Sequence, residues 1–185
     1  MTIRKSGTRS MCIYCGRETA DTRDHVPPKC LIRPKHRANL WTVPSCAQCN
    51  ASYSRDEEYF RLMVVGALCH TPEADELFDG PISRSMNRRP SIEGQLFNSL
   101  GVEGVHPFVQ IDHDRISRVA MKIAVGLSYC LGVDPPSLTA VASMSECEGR
   151  GTQGAWAPDF TFDVCRGCLA LWLYDSVLLT VASLD

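Results

Sequence analysis

Residues 11–50 read MCIYCGRETADTRDHVPPKCLIRPKHRANLWTVPSCAQCN, and this stretch decides the fold. It contains two Cys-x-x-Cys pairs, Cys12/Cys15 and Cys46/Cys49. A gap of two residues lets both sulfurs of a pair reach one metal ion from one turn, and two such pairs form a closed tetrahedral site that has no open position for a substrate. We therefore predict a structural zinc ion that clamps the two ends of this stretch. The alternative is that all four are buried free cysteines.

The length and composition are those of an ordinary folded protein. The chain has 185 residues, of which 44% are hydrophobic and 22% charged, which fits one domain or one domain with a small extension. No apolar run is long enough for a membrane-spanning helix, and no apolar segment follows the basic N-terminus, so no secretory signal is predicted. Ten cysteines without such a signal favour a reducing compartment. We predict a cytoplasmic protein without a membrane partner.

The charge is distributed unevenly along the chain. The net charge is −2, but residues 1–41 carry nine Lys or Arg residues against three acidic ones, a local charge of +6 that leaves −8 on the remainder. A basic module on an acidic body is typical of a protein in which only the module meets phosphate. The alternative is a basic segment that is merely solvated.

The first part of the chain is predicted to run strand, loop, strand, helix. Pro27-Pro28 disfavours helix and indicates an extended segment at residues 24–27. Residues 39–43 are apolar and β-prone up to the following proline. Residues 47–68 have helical periodicity, which places the acidic residues 56–58 toward the outer face of the helix.

The remainder is predicted to combine helices with a small antiparallel sheet. A short helix is expected to begin at Thr71-Pro72 and to end at Gly80-Pro81, and a longer one is expected over residues 115–131, stopped by Gly132. Residues 83–104 between them are expected to be a long surface connection, with a short helix over residues 92–100 as an alternative for part of it. Four strands are predicted over residues 138–144, 159–164, 169–174 and 177–182.

These patterns divide the chain into three parts. Residues 1–10 are predicted to be a disordered basic arm, residues 11–70 a zinc-clamped module, and residues 71–185 an α+β body of unknown role. A third cysteine pair, Cys165/Cys168, lies on a predicted hairpin. It is compatible with a second zinc site or with cross-strand buried thiols.

The module also carries a motif between its two cysteine pairs. Residues 24–28 read DHVPP, Asn39-Leu40 begins fourteen residues after His25, and Asn50 directly follows the second pair. In order and spacing, these residues resemble the HNH endonuclease family, in its zinc-clamped four-cysteine subgroup. The resemblance covers about residues 11–55 and implies a ββα-metal (His-Me finger) module, here followed by helices packed on a small antiparallel sheet.

The resemblance implies a role for four residues. His25 would be the general base that deprotonates the attacking water, while Asp24 and Asn50 would hold a single catalytic Mg²⁺ or Mn²⁺ ion. Asn39 would pin the two strands through backbone hydrogen bonds and so orient the His25 ring. Carboxylate and amide oxygens are hard ligands suited to these ions, and an imidazole can take up a proton near neutral pH.

The function that the resemblance implies is metal-dependent hydrolysis of phosphodiester bonds in DNA, with RNA as an alternative substrate. Since one module places one strand at the metal, cutting both strands would need a second active site, for example in a homodimer. The competing interpretation is a non-catalytic zinc-stabilised module that binds nucleic acid or a protein. The loop residues expected to contact phosphate are Lys29, Arg33, Lys35, His36 and Arg37.

Overall fold

The computed structural model describes residues 10–63, 71–103, 106–135, 141–146, 154–155, 159–165, 168–174 and 177–182. In this part of the chain, helices and antiparallel strands occur together, which confirms the predicted mixture of helix and sheet. No described helix is both long enough and apolar enough to cross a membrane. All but the last residue of the predicted basic arm lies outside the described residues.

The N-terminal strands β1 (Thr22–Val26) and β2 (Trp41–Ser45) form an antiparallel hairpin. Its long connection contains two short 3₁₀ turns, Lys29–Leu31 and Pro34–His36. Pro44, which was predicted to stop the second strand, lies inside it. Both strands of a two-stranded sheet are edge strands, and proline is tolerated on edges because a ladder hydrogen bond can be omitted there.

The single helix predicted over residues 47–68 is two helices, α1 (Ala47–Ser52) and α2 (Ser54–Met63). At the junction, the Ser52 hydroxyl donates a hydrogen bond of 2.8 Å to the carbonyl of Cys49. Serine side chains that bond backward to a helical carbonyl compete with the backbone pattern and bend helices. The last residues of the predicted helix lie outside the described part of the chain.

The next helix, α3 (Pro72–Leu77), begins where the sequence predicts, because the Thr71 hydroxyl accepts a backbone N–H of the first turn. It does not end at Gly80-Pro81. The backbone continues through a π-type turn, Phe78–Ile82, into α4 (Ser83–Arg88). The wider turn relieves the clash that a proline ring makes with a carbonyl of a regular α-helix.

The predicted surface connection over residues 83–104 also contains regular structure beyond α4. Helix α5 (Pro90–Ser99) leads directly into strand β3 (Leu100–Glu103), which pairs with β4 (His106–Val109). The prediction of a connection was wrong for most of this region, whereas the alternative of a short helix over residues 92–100 overlaps α5. The hydrophobic period here is too weak to decide between helix and loop.

The longest helix, α6 (His113–Leu131), matches its prediction closely. The Asp112 carboxylate caps its start by accepting the N–H of Arg115 at 3.2 Å, and Gly132 ends it with φ +68°. A glycine on α6 lets this helix approach β1 closely: a Cβ on Gly126 would lie 2.5 Å from a methyl carbon of Val26. The helix therefore lies directly against the strand that carries the DHVPP motif.

The C-terminal sheet has five antiparallel strands in the order β5-β9-β8-β7-β6. It packs with α6 and the N-terminal hairpin around one continuous core, in which Val43, Phe60, Ile123 and Leu171 are all fully buried. The core thus includes residues from both the predicted module and the predicted body. The strands are β5 (Val141–Glu146), β6 (Gly154–Ala155), β7 (Phe160–Cys165), β8 (Cys168–Leu173) and β9 (Val177–Ala182).

Two of the three acidic residues predicted to lie toward the outer face of α2, Asp56 and Glu57, are instead directed at α6, while Glu58 is partly exposed. Asp56 is buried, and its carboxylate pairs with Arg115 at 2.8 Å and with Arg118 at 2.7 Å. Glu57 is half-buried and pairs with Lys122. The prediction was wrong because all three basic partners are on α6, a helix that the sequence of α2 does not reveal.

Candidate metal centre and the Asp24–His25 strand

The four predicted zinc ligands lie together in the structure. The sulfur atoms of the cysteines all lie within 4.8 Å of one another, close enough to hold a metal ion such as zinc. Two of these residues are buried and two are half-buried, so the cluster is largely closed to solvent. Among the described residues, it is the only group of three or more His, Cys, Asp or Glu side chains that could hold an ion. The ligands are Cys12, Cys15, Cys46 and Cys49.

Backbone hydrogen bonds hold the first cysteine turn against the hairpin. The N–H of Ile13 donates to the carbonyl of Pro44 on β2 at 3.1 Å, and the N–H of Cys12 donates to Glu18 within the turn at 2.9 Å. At the start of α1, the N–H of Ala47 donates to the carboxylate of Asp21 at 2.7 Å. The two cysteine pairs are therefore brought together by the chain itself.

The environment of the first pair favours thiolates, the form that binds metal. Burial acts to raise the pKa of Cys12, but hydrogen bonds from backbone groups of Cys46, Cys15 and Tyr14 outweigh it and lower that pKa to about 6. Backbone hydrogen bonds from Arg17 and the residue after it also lower the pKa of Cys15. N–H groups around sulfur are the usual surroundings of a cysteine that carries negative charge.

Asp24, the predicted metal ligand on β1, is buried with three hydrogen-bond donors around it. Its Oδ2 atom accepts the Tyr14 hydroxyl at 2.8 Å and lies 2.7 Å from Nζ of Lys122. Its Oδ1 atom accepts the backbone N–H of His25 at 2.9 Å. Burial and then the Asp24 charge raise the pKa of Tyr14 strongly, so this phenol stays a donor.

Lys122 joins Asp24 to α2 and is 3% exposed. Its ammonium contacts the carboxylate of Glu57 as well as that of Asp24, and it lies 5.2 Å from the ring centroid of Tyr53. Burial lowers the pKa of Lys122, but the charges of Glu57 and Asp24 outweigh it and raise that pKa above its usual value. The ammonium therefore carries a full charge at neutral pH, buried between two carboxylates.

Sequence reasoning missed Lys122 as part of the site. Its one signal is its position on α6: it lies three residues after Val119 and directly before Ile123, both fully buried. A lysine on the buried face of an amphipathic helix needs an acidic partner, because an isolated buried charge is costly. This pattern could have predicted a buried ion pair, but it could not have predicted which acidic residue is the partner of Lys122.

His25 and Asp24 lie on opposite faces of β1. Along the strand, Asp24 and Val26 are buried, while Arg23 is exposed and His25 half-buried, as the alternation of a regular strand requires. The cis peptide bond at Val26-Pro27 follows the strand and does not interrupt this alternation. The two residues therefore contact each other through the His25 backbone rather than through its ring.

The pKa of His25 is lowered by its partial burial and by the positive charge of Lys29, against the opposing effect of Asp24. The more distant charge of Lys122 acts in the same direction as Lys29. The imidazole is therefore neutral at pH 7, which is the state required of a general base.

Asn50, the second predicted ligand of a catalytic ion, fastens α1 to β1. Its amide nitrogen donates to the Thr22 hydroxyl at 3.3 Å and to the carbonyl of Arg23 at 3.5 Å. Asn39, which was predicted to pin the strands, is exposed, and no side-chain hydrogen bond of it is found within the described residues. Arg23 has that role instead, because its guanidinium bonds the hydroxyl and carbonyl of Thr42 on β2 at 2.8 and 2.7 Å.

The loop residues predicted to contact phosphate are mostly engaged inside the chain. Arg33 is 5% exposed, and its Nε atom donates to the fully buried carboxylate of Asp159 at 2.7 Å. The ring of His36 lies 3.1 Å from the same carboxylate. Lys35 pairs with Glu76 at 2.7 Å. The acidic partners, Asp159 and Glu76, lie far from the loop in the sequence, so the loop sequence alone could not predict these ion pairs.

Two further loop cations remain at or near the surface. Arg37 is half-buried and donates from Nε to the carbonyl of Ile32 at 2.7 Å. Lys29 is exposed and makes no ion pair within the described part of the chain, while its charge acts on His25. Among the five predicted phosphate contacts, Lys29 thus combines an exposed side chain with an electrostatic effect on His25.

A divalent cation does not fit Asp24 as the residues stand. Mg²⁺ and Mn²⁺ need carboxylate oxygens together with several waters, whereas one oxygen of Asp24 is shared by a phenol and an ammonium and the residue is 6% exposed. The ammonium of Lys122 already pairs with this carboxylate and would repel a cation placed beside it. The four thiols, by contrast, have the donor chemistry and the closure of a structural zinc site.

Cys165 and Cys168, the third cysteine pair, are register partners on β7 and β8. The two residues between them, at which the hairpin was predicted to turn, lie outside the described residues. The pairing of Phe160–Cys165 with Cys168–Leu173 confirms the two adjacent antiparallel strands that were predicted on either side of the turn.

Comparison with known proteins does not extend this description. No family model, no curated protein and no solved structure matches the chain. A functional interpretation must therefore rest on the residues of the site.

Proposed function

We propose that the N-terminal hairpin and α1 form a zinc-clamped module of the HNH type that hydrolyses phosphodiester bonds in DNA, with His25 as the general base. One observation carries the proposal. The four cysteines gather at the base of a hairpin that presents a neutral, half-exposed imidazole, and the helix that follows the second pair is docked on the same strand through Asn50. This is the strand, loop, strand and helix order that the resemblance implies.

In the proposed reaction, the His25 imidazole takes a proton from a water molecule as its oxygen attacks phosphorus. The bond between phosphorus and the leaving sugar oxygen breaks, and that oxygen is protonated from solvent. Lys29 supports this step, since its exposed ammonium attracts phosphate and its charge favours the unprotonated imidazole. A general base of this kind contributes a factor of about 10²–10⁴ in rate.

The resemblance also implies a catalytic Mg²⁺ or Mn²⁺ ion. Asp24 could bind such an ion only if Nζ of Lys122, now at 2.7 Å, moved away from it. RNA as a substrate and a homodimer for double-strand cutting also remain predictions.

The second candidate function is a non-catalytic zinc-stabilised module that binds nucleic acid or a protein. The ion pair between Asp24 and Lys122 specifically favours it, because the carboxylate that would hold a catalytic ion serves instead to attach the hairpin to α6. This alternative retains the four cysteines and gives no chemical role to His25 or Asn50.

The two candidates are separated by incubating the zinc-loaded full chain with supercoiled plasmid in Mg²⁺, in Mn²⁺ and in neither. We expect nicking that falls at least about 100-fold in His25→Ala and is unchanged in His113→Ala, a control at an exposed histidine at the start of α6. Nicking should increase with pH up to the lowered pKa of His25 and then level off. Cleavage that survives His25→Ala would refute the assigned base, and binding of DNA or RNA without any cleavage would favour the second candidate.

A further inference from the structure

We infer a second site, one that binds a phosphate group, in a cavity between α2, α5 and α6. The cavity has a volume of about 330 Å³, at the lower end of the range of small-molecule sites. Its wall carries three guanidinium groups and one carboxylate, and it lies apart from the cysteines and from His25. The charged residues that line it are Arg55, Arg89, Arg115 and Glu58.

Arg115 is the fixed element of this cavity. Its Nε atom bonds the Asp56 carboxylate at 2.8 Å and one terminal nitrogen bonds the carbonyl of Arg55 at 2.6 Å. Its guanidinium also lies 4.1 Å from the centroid of the Tyr59 ring, which packs against its face. A guanidinium held on two bonds and a ring loses little further freedom on binding an anion.

Arg55 and Arg89 supply positive charges on exposed side chains that can reorient toward a ligand. Arg55 is exposed, and its guanidinium has no ion-pair partner within the described residues. Arg89 pairs with Glu58 at 3.0 Å, but with its side chain 66% exposed this pair is weak and exchangeable. Asp56 and Glu58 offset two of the three arginines, so one positive charge, that of Arg55, remains unbalanced among these groups.

The start of α5 adds a further preference for anions. This helix has ten residues, and Ser91 of its first turn lines the cavity. The first N–H groups of a helix have no intrahelical partners and favour a negative ligand. Forked guanidiniums together with a helix N-terminus match the several oxygens of a phosphate better than the two of a carboxylate.

The phosphate could belong to a small molecule or to the backbone of a nucleic acid, and both present the same oxygens to the arginines. The inference does not depend on the proposed nuclease activity, since none of the lining residues has a role there. Removing these arginines should therefore leave the His25-dependent reaction on plasmid unchanged at saturating DNA.

Calorimetric titration of the zinc-loaded full chain tests the site with inorganic pyrophosphate and with a short DNA oligonucleotide. We expect saturable one-site binding of at least one probe, weakened tenfold or more in the double variant Arg55→Gln/Arg89→Gln. Arg88→Gln, an exposed arginine of α4 outside the cavity, is the matched control and should bind like the parent chain. Binding of pyrophosphate indicates a small-molecule source, and binding of the oligonucleotide alone indicates a nucleic-acid backbone.

Glu58→Gln tests the site through an expected increase in affinity, whereas the arginine variants test it through a loss. It removes the carboxylate that competes for Arg89, so binding should become several-fold tighter, which a misfolded variant would not show. The site is rejected if neither probe saturates, if Arg88→Gln weakens binding as much as the double variant, or if Glu58→Gln leaves the affinity unchanged.

Discussion

The cysteine cluster and the Asp24–His25 strand come from one stretch of forty residues, yet they are organised in opposite ways. In the cluster, residues from two separated turns converge until their sulfurs lie within 4.8 Å. On β1, two adjacent residues diverge, because neighbours on a strand face opposite sides. Spacing within a turn thus predicts convergence, whereas adjacency in sequence does not predict a shared site.

The divergence has a consequence for the chemistry of each residue. Asp24 faces the interior and pairs with Lys122, so its charge serves to join the hairpin to α6. His25 faces outward with Lys29 and remains neutral. The cluster is held by its own turns and the hairpin, while the environment of Asp24 depends on a helix from the other half of the chain.

The largest effect is expected from breaking the cluster. Cys46→Ser removes a buried ligand at the cap of α1, and structural zinc contributes an apparent free energy of about 10–16 kcal/mol in small zinc modules. We expect the variant to lose one equivalent of zinc per chain, measured by metal analysis, together with the cooperative unfolding of the hairpin, measured by hydrogen exchange.

Cys130→Ser is the control for this experiment, since that half-buried cysteine of α6 lies outside the cluster. It should keep both the zinc and the unfolding transition. A parent chain that binds no zinc after expression in zinc-supplemented medium would contradict the structural zinc site.

A smaller but still large effect is expected at the ion pair beneath β1. Lys122→Met leaves Asp24 and Glu57 buried without their cation, and removing one partner of a buried pair costs about 3–5 kcal/mol. The free energy of unfolding in urea should fall by that amount. Arg118→Met, at a 55% exposed cation that pairs with Asp56, should cost less than about 1 kcal/mol. Equal losses would mean that burial of Lys122 does not govern the effect.

An intermediate effect is expected where α6 approaches β1. In Gly126→Ala the new methyl group would lie 2.5 Å from Val26, and overpacking of this kind costs about 1–3 kcal/mol. The higher helix propensity of alanine returns at most about 1 kcal/mol, so a net loss is expected in urea unfolding. The double variant Gly126→Ala/Val26→Ala should lose less than the sum of the two single variants, and simple additivity would argue against this contact.

The smallest effect concerns the titration of His25. The pKa of His25 is lowered in the folded chain, so the unfolded chain binds a proton at this residue at a higher pH than the folded chain does. The contribution of His25 to stability is therefore complete above about 6.5, the ordinary histidine value, and decreases as the pH falls through the lowered pKa. Proton NMR of the imidazole should give a midpoint below that ordinary histidine value. Lys29→Gln should raise the midpoint, and an unchanged midpoint would exclude the proposed influence of Lys29.

Much of the fold could be predicted from local sequence. Helix α6 carries its own start and stop signals in Asp112 and Gly132, and four of the five strands described in the C-terminal sheet were identified within a few residues, the exception being β6. Helix α4 was not predicted, and α5 only as an alternative, because their periodicity is weak and Pro81, a residue that normally ends a helix, is accommodated in a π-type turn.

The sequence by itself determined the cysteine cluster, since two pairs with a two-residue gap can bring four sulfurs together whatever surrounds them. It did not determine the partners of its charged residues. The tertiary structure decided that Arg33 meets Asp159, 126 residues away, and that Asp24 meets Lys122. The physical reason is that a turn fixes its own geometry over a few residues, whereas a buried charge pairs with whichever opposite charge the packed core brings into contact.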